Sequence, residues 1–152
     1  MVSFRQMRSR VGVDGFHSHH LIPKQVAAHR HFAQFIGNLR AKGLELDDFG
    51  ENGMHLPYSE RMAEVFQLPV HRGAHPQYNA MVSYHVAKLM SLPTYDALLG
   101  IRLLQVNLRI GLRCSGYSLA SQPRNPMCID LENDMDAIGL LGDRRARILR
   151  LS

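Results

Sequence analysis

The sequence predicts an α+β fold, in which several helices accompany a small amount of strand. Apolar residues recur at helical spacing over residues 24–42, and similar patterns favour helices over about residues 76–90 and 94–113. Between the first two helices, Asn52-Gly53 is a turn signal, and the strand-like stretch 54–57 follows it. Long helical patterns combined with a short strand are typical of the α+β class.

The ends of the predicted helices are marked by residues that start or stop a helix. Pro23 precedes the first helix and Gly43 follows it. Pro76 suits the first helical position and disfavours helical geometry at the residue before it, so His75 is expected at the N-cap. Thr94 is expected to cap the third helix, which is apolar nearly all round.

The 152 residues are expected to form a single domain, since this length can bury a core without disulfides. Residues 1–13 are polar and basic without a clear period, and we expect a tail there. Residues 14–91 are the predicted core, with a short helix over 59–67. Residues 92–152 are expected to be a helical extension packed on that core.

Charge and cysteine content narrow the class of protein. The net charge of +5 favours a polyanionic partner such as nucleic acid, an anionic membrane or an acidic inhibitor. No run of eighteen apolar residues predicts a transmembrane helix, and no signal peptide is expected. Cys114 and Cys128 lack the spacing of metal ligands, and two cysteines do not make a disulfide framework, although one bridge stays open.

Histidine is the residue type in clear excess, with nine in the chain. Adjacent side chains on an extended segment point to opposite sides, so one residue of His19-His20 can bind a metal while the other faces substrate. His71 and His75, four apart at a helix entrance, can converge with His19 on one cation. A base that activates water and a cation that stabilises phosphate charge are what phosphodiester cleavage requires.

Three segments that occur in this order also carry a family resemblance. They resemble motifs of the HNH/endonuclease VII superfamily, and more narrowly the branch named for its Ala-His-His motif and its Ser-His-His relative. The resemblance spans residues 14 to about 90. It departs at Ser18, where alanine is common, and at His55. The segments are Ser18–Lys24, Asn52–Pro57 and His71–Tyr78.

The resemblance implies a ββα-metal (His-Me finger) core with additional packed helices around it. By position in the family pattern, His20 corresponds to the general base, and Asn52 to the residue that holds His20 in place. His19 and His75 correspond to metal ligands, and His71 to the third. The order of roles within the His19-His20 pair rests on the family pattern.

The resemblance further implies one divalent metal ion, Mg²⁺ or Zn²⁺, with Ni²⁺ and Mn²⁺ also open. The expected substrate is DNA, with RNA as an alternative. Such modules occur as toxin domains of larger secreted effectors that act in the target-cell cytoplasm, so an acidic immunity protein is an expected partner. Lys24, Arg72 and Tyr78 are expected to contact nucleic acid, although surface charge or core packing would also explain them.

A non-catalytic alternative is a zinc-stabilised module that binds nucleic acid. A structural zinc site normally has four protein ligands, and His55 or His17 would supply the fourth. Arg102, Arg109 and Arg113 form one basic stripe on the third helix. A solvated helix face is favoured for this stripe over a nucleic-acid path or an inhibitor-docking surface.

Overall fold

Two short strands and seven helices follow one another in the part of the chain that the computed structural model describes, namely residues 2–10, 15–72 and 75–114. The helices carry most of the mass, and the strands form one small sheet, which agrees with the predicted α+β class. In chain order the elements are α1 (Phe4–Arg10), β1 (Phe16–His20), α2 (Lys24–Ala27), α3 (Ala33–Arg40), α4 (Phe49–Asn52), β2 (Gly53–Pro57), α5 (Glu60–Phe66), α6 (Pro76–Leu89) and α7 (Thr94–Arg113).

The two strands pair antiparallel, and their register divides the histidines between the faces of the sheet. His19 lies opposite Met54, His20 opposite Gly53, and Ser18 opposite His55. Because side chains alternate along a strand and directly paired residues share a face, His19 and Met54 lie on one side of the sheet. His20 and His55 lie on the other.

The core lies where α6 and α7 pack on each other and on the shorter helices, and it includes residues of the sheet. It includes Leu21, Ile22 and Leu56 beside the sheet, and a row of fully buried aliphatic residues from the two long helices. Burial of such side chains stabilises the fold by roughly 1.5–3 kcal/mol each. That row is Val82, Val86, Leu89, Ile101, Leu104, Leu108 and Leu112.

The single helix predicted over residues 24–42 was wrong, because the structure divides it into α2 and α3. Between them, His29 Nδ1 accepts a hydrogen bond from the His31 backbone N–H at 3.3 Å, and the Phe32 N–H donates to the His29 carbonyl. This turn buries the Phe32 ring. The predicted stop is confirmed, since Gly43 has φ of +94° and the Leu44 N–H donates to the Leu39 carbonyl, as in a Schellman motif.

The starts of the two long helices agree with the sequence to within one residue. His75 is the N-cap of α6, as predicted. The N-cap of α7 is Pro93 rather than Thr94, because the Pro93 carbonyl accepts the first helical hydrogen bond, from the Ala97 N–H at 2.9 Å. The short helix expected over residues 59–67 is confirmed as α5, capped by the Ser59 hydroxyl.

Residues 2–10 of the expected N-terminal tail are described by the structure, and they include helix α1. Phe4 begins α1, is buried, and packs edge-on against Phe49 at 5.1 Å between ring centroids. The Phe49 N–H donates to the Val2 carbonyl at 2.8 Å. One buried aromatic residue therefore anchors a segment that shows no apolar period.

The C-terminal residues 115–152, which include Cys128, lie outside the described residues. Over residues 92–114 the predicted extension is α7, which packs against α3, α4 and α6. No helix in the described ranges combines the length and apolar character needed to cross a membrane. The division into tail, core and extension stays a prediction.

The arginine stripe on α7 braces neighbouring loops. One terminal nitrogen of Arg109 donates to the carbonyls of Gly50 at 2.8 Å, Glu51 at 2.9 Å and Gly53 at 3.3 Å, where α4 ends and β2 begins. Arg102 donates to the Gly43 carbonyl at 3.4 Å. The favoured interpretation of the stripe as a solvated face was therefore wrong for Arg109, which ties α7 to the segment that carries Asn52.

We expect Arg109→Ala to lower the free energy of unfolding by about 1–3 kcal/mol, because three carbonyls lose a charged donor. Denaturant unfolding of the full chain measures this change. Arg113→Ala is the matched control, since Arg113 is an exposed arginine one turn further along the same helix. Equal destabilisation by the two substitutions would contradict the bracing role.

Candidate metal centre and active site

Three histidines from separate parts of the chain meet on one face of the sheet. His19 lies on β1, His75 is the N-cap of α6, and His71 lies in the connector between β2 and α6. Their candidate ligand nitrogens all lie within 4.8 Å of one another. The His71 backbone N–H donates to the Pro57 carbonyl at 2.7 Å, which fixes the connector to the end of β2. The structure thus brings together the three predicted metal ligands.

Burial and mutual proximity hold two of these imidazoles, His19 and His71, in their neutral form. Burial, followed by the charges of His71, His75 and His20, lowers the pKa of His19 from 6.5 to about 3. Burial and then the charges of His75 and His17 lower the pKa of His71 to about 4, against a small opposing effect of its backbone hydrogen bond. Neutral imidazoles with available lone pairs are the form that binds a metal.

The donor set fits one divalent cation. Nε2 of His19 and Nδ1 of His71 are buried nitrogens that find no hydrogen-bond partner among the described residues, which is costly unless a ligand satisfies them. Three imidazoles suit a transition metal such as Zn²⁺ or Ni²⁺. A site with three protein ligands retains positions for water and substrate, whereas a structural zinc site is closed by a fourth protein ligand.

Neither histidine considered as a fourth ligand joins the cluster. His55 pairs with Ser18 and therefore lies on the opposite face of the sheet from His19. His17 shares the face of His19 and its ring lies 5.8 Å from that of His71, but it is exposed and stacks on Tyr58. Within the described ranges, the candidate metal group is His19, His71 and His75.

The lowered pKa values predict that the metal-free protein loses stability as the pH falls. In the unfolded chain the histidines titrate near 6.5, whereas His19 and His71 in the folded chain take up protons only near 3 and 4. Between these limits the unfolded state binds more protons, so this stability is complete above pH 6.5 and is lost progressively below it.

We therefore expect the Tm of metal-stripped protein to be lower at pH 5 than at pH 7. His71→Gln, which has no titrating imidazole at this position, should show a smaller drop over the same range. Thermal unfolding followed by circular dichroism measures both. An equal drop in the variant would contradict the protonation argument for His71.

His20 lies at the end of β1, on the other face of the sheet from the three histidines. It is half-buried, and the Phe4 ring stacks on its imidazole with 3.5 Å between centroids and 5° between planes. Its charge is close enough to lower the pKa of His19. Sequence reasoning missed Phe4, because an isolated aromatic residue in a polar segment carries no signal that distinguishes it.

Asn52 is fully buried and bonds to the backbone next to the end of β1, and its role in holding His20 stays a prediction. Its Oδ1 accepts from the Ile22 N–H at 2.8 Å and from Gln105 Nε2 at 3.2 Å. Its Nδ2 donates to the carbonyls of Ile22 at 3.1 Å and Leu46 at 3.0 Å. Its own carbonyl accepts from the Leu21 N–H at 2.8 Å. These bonds fix the backbone directly after His20.

The local structure around Asn52 also differs from the tight turn that the sequence predicted. Asn52 ends α4, and Gly53 begins β2 with extended backbone. A Cβ at Gly53 would collide with the ring and carbonyl of Phe49, so the helix passes into the strand only with glycine there. Gln105 of α7, a further supporting residue, was not predicted because it lies far away in sequence.

The three residues predicted to contact nucleic acid have different surroundings. Lys24 is exposed at the start of α2, near His20. Arg72 is exposed too, but its Nε donates to the Tyr58 carbonyl at 3.1 Å and it forms an ion pair with Glu60 at 3.3 Å. Tyr78 is buried, which agrees with core packing, the alternative that the sequence left open, and its contact with nucleic acid stays a prediction.

Tyr78 supports the candidate metal centre. Its hydroxyl donates to the Leu21 carbonyl at 2.7 Å, and its ring lies edge-on to that of His19 at 5.1 Å. A buried tyrosine hydroxyl needs a hydrogen-bond partner, and the strand end supplies one. This bond ties the first turn of α6 to the end of β1, and thereby holds His75 near His19.

Comparison with known proteins agrees with this arrangement. A family model matches residues 5–98, more than half of the chain; it describes AHH, a nuclease family of the HNH/ENDO VII superfamily with a conserved AHH motif. The matched range contains all three histidines of the cluster together with His20 and Asn52. No curated protein and no solved structure matches the chain. The chain therefore belongs to the AHH family of nucleases within the HNH/ENDO VII superfamily.

Proposed function

We propose that the chain is a metal-dependent endonuclease that hydrolyses phosphodiester bonds in DNA. The observation that carries this proposal is the convergence of His19, His71 and His75 at the end of the strand that also carries His20. Membership of a nuclease family implies a nucleic-acid substrate. The net charge of +5 supports a polyanionic substrate of either kind, DNA or RNA.

In this proposal β1, β2 and α6 form a ββα-metal core. The antiparallel pair β1–β2 supplies His19 and His20 at its end, and the entrance of α6 supplies His75. The bond from Tyr78 to Leu21 and the bond from His71 to Pro57 hold the helix entrance against the sheet. The remaining helices pack around this core.

The proposed reaction uses His20 as the general base. Its imidazole accepts a proton from water, whose oxygen attacks the phosphorus while the bond from phosphorus to the 3′ oxygen breaks. The bonds from Asn52 to Ile22 hold the strand end that carries this imidazole, and stacking on Phe4 restrains its ring plane. One divalent ion would be held by His19, His71 and His75, and Zn²⁺, Mg²⁺, Ni²⁺ and Mn²⁺ are the candidates. When bound, this ion would neutralise negative charge on the phosphate and on the leaving oxygen.

A plasmid-nicking assay tests this function directly. Protein stripped with a chelator should leave supercoiled DNA intact, and addition of each of the four metals in turn should identify those that restore nicking. A structured RNA assayed in parallel tests the substrate class. Equal cleavage before and after stripping contradicts metal dependence, and cleavage of RNA alone contradicts the DNA assignment.

We also propose that the chain is the toxin domain of a larger secreted effector that acts in the target-cell cytoplasm. The family resemblance supports this role, and the basic charge would favour an acidic immunity protein as partner. Induced expression inside a bacterium should stop growth with loss of DNA, and His20→Ala should relieve both. Normal growth with intact DNA at full expression would contradict the toxin role.

A further inference from the structure

A cavity of about 300 Å³ opens beside His20, on the opposite face of the sheet from the three-histidine cluster. Part of its wall comes from the end of α2 and part from α3, the two helices that replace the single helix predicted from sequence. The break between α2 and α3 lets both helices line one space. The wall residues are small or aliphatic and include Ile22, Ala27, Ala33, Ile36, Gly37 and Leu46.

The polar groups at this cavity are charged and differ in sign. Lys24 and Arg40 are exposed cations that suit a phosphate oxygen as partner. Asp47 is an exposed carboxylate that forms an ion pair with Arg40 at 3.7 Å, and it can accept from the amino group of a base. Apolar walls with a few polar groups of both kinds are typical of small-ligand sites, and this volume is at the lower end of their range of about 300–1,000 Å³.

We propose that this cavity binds the nucleobase next to the scissile phosphate, in a substrate whose base is unpaired or extruded from the duplex. The inference rests on the proposed function, because His20 both lines the cavity and acts as the base at the reacting phosphate. Aliphatic walls accept the flat face of any base, and the two cations face its flanking phosphates. A neutral apolar ligand would gain nothing from Lys24 and Arg40.

The subsite predicts a substrate preference. Extrusion of a base from a duplex requires unstacking and unpairing, which are least costly for single strands and mispaired sites. We therefore expect single-stranded or mispaired DNA to be cleaved with a lower KM than fully paired DNA.

Gly37→Leu adds a bulky side chain at the cavity wall with little disturbance of the surrounding structure. A Cβ added at Gly37 meets no atom within 4 Å, and replacement of a helical glycine favours the helix. Ala41→Leu is the matched control, because Ala41 is an exposed residue at the C-cap of the same helix and does not line the cavity.

The experiment titrates the full chain, without added metal, with each of the four deoxynucleoside 5′-monophosphates while methyl NMR signals of Ala27, Ala33 and Ile36 are followed. At least one nucleotide should shift these signals, and deoxyribose 5-phosphate, which lacks a base, should not. Gly37→Leu should weaken binding about five- to 150-fold, as for the loss of one stacked base, and Ala41→Leu should not. Absence of nucleotide-dependent shifts, equal shifts with deoxyribose 5-phosphate, or wild-type affinity in Gly37→Leu would overturn the proposal.

Nucleotide titration and the nicking assay together separate this inference from the proposed function. A protein that nicks plasmid DNA but does not bind nucleotides in the cavity overturns the subsite alone. A protein that binds them there but never nicks DNA overturns the endonuclease proposal and leaves a nucleotide site. In a cleavage assay, Gly37→Leu should raise the KM for single-stranded DNA and spare kcat, since the reacting groups are assigned to His20 and the metal ligands and not to Gly37.

Discussion

His20→Ala is expected to lower the rate of DNA cleavage by about 10²–10⁴-fold, the contribution typical of a positioned general base. The variant should still bind metal, because the three candidate ligands lie on the other face of β1. Single-turnover cleavage of plasmid DNA measures the rate, and calorimetric titration with Zn²⁺ measures the binding. Loss of cleavage with retained metal would separate the base from the metal centre.

Two further variants make this result specific. His20→Gln keeps a polar side chain of similar reach under the Phe4 ring, so loss of activity in both variants excludes a merely structural effect. His31→Ala is the control, since His31 is an exposed histidine in the turn between α2 and α3. Robust cleavage by both His20 variants would contradict the assignment of the base.

His71→Ala is expected to weaken metal binding by more than about 100-fold, since even changes outside the ligand shell cost 10–100-fold. Cleavage should fall with the bound metal and return in part at high metal concentration. Because His71 is a half-buried imidazole held neutral by its surroundings, its removal should leave the metal-free fold near wild-type stability. Metal titration and thermal unfolding of the same preparations measure both effects.

His55→Ala is the matched control for the metal centre. His55 also lies on the sheet, but its pairing with Ser18 places it on the opposite face from His19. Unchanged metal affinity in this variant, beside a large loss in His71→Ala, would assign the metal to the predicted face. Equal losses in the two variants would favour the closed, non-catalytic zinc module.

Part of the candidate site was predictable because its geometry is local, whereas the meeting of His19 with His71 and His75 was expected from the family resemblance. The alternation of a strand separates His19 from His20, and Pro76 places His75 at a helix entrance. His71 precedes His75 by four residues, and its ring lies 4.8 Å from the His75 ring. These relations depend on short stretches of backbone, which sequence patterns describe well.

The parts that sequence did not predict depend on contacts between distant residues. Gln105 and Arg109 support the segment around Asn52 from more than fifty residues away, and no local pattern marks them. Because α7 is apolar nearly all round, its spacing does not reveal which face is buried; Leu99 is 54% exposed whereas Leu104 is fully buried. Core packing of Tyr78 was one of two alternatives from sequence, and the sequence could not decide between them because the packing depends on the end of β1 lying against α6.

The broken helix shows a further limit of periodicity. Phe32, Ile36 and Leu39 are all buried, as the helical spacing predicted, and Val26 is buried too. A turn around His29 and Phe32 keeps the same residues inside while it changes the direction of the chain. Apolar spacing therefore predicted Phe32, Ile36 and Leu39 as buried, but it missed Val26 and the break, and the cavity beside His20 lies at that break.

The coordination sphere of the bound metal tests the central claim most directly. X-ray absorption of the full chain loaded with one equivalent of Zn²⁺ should show three imidazole nitrogens at about 2.0–2.1 Å together with oxygen from water. The same measurement on His71→Ala should show one imidazole fewer. A site with four protein ligands and no water, or unchanged coordination in His71→Ala, would contradict an open catalytic centre on His19, His71 and His75.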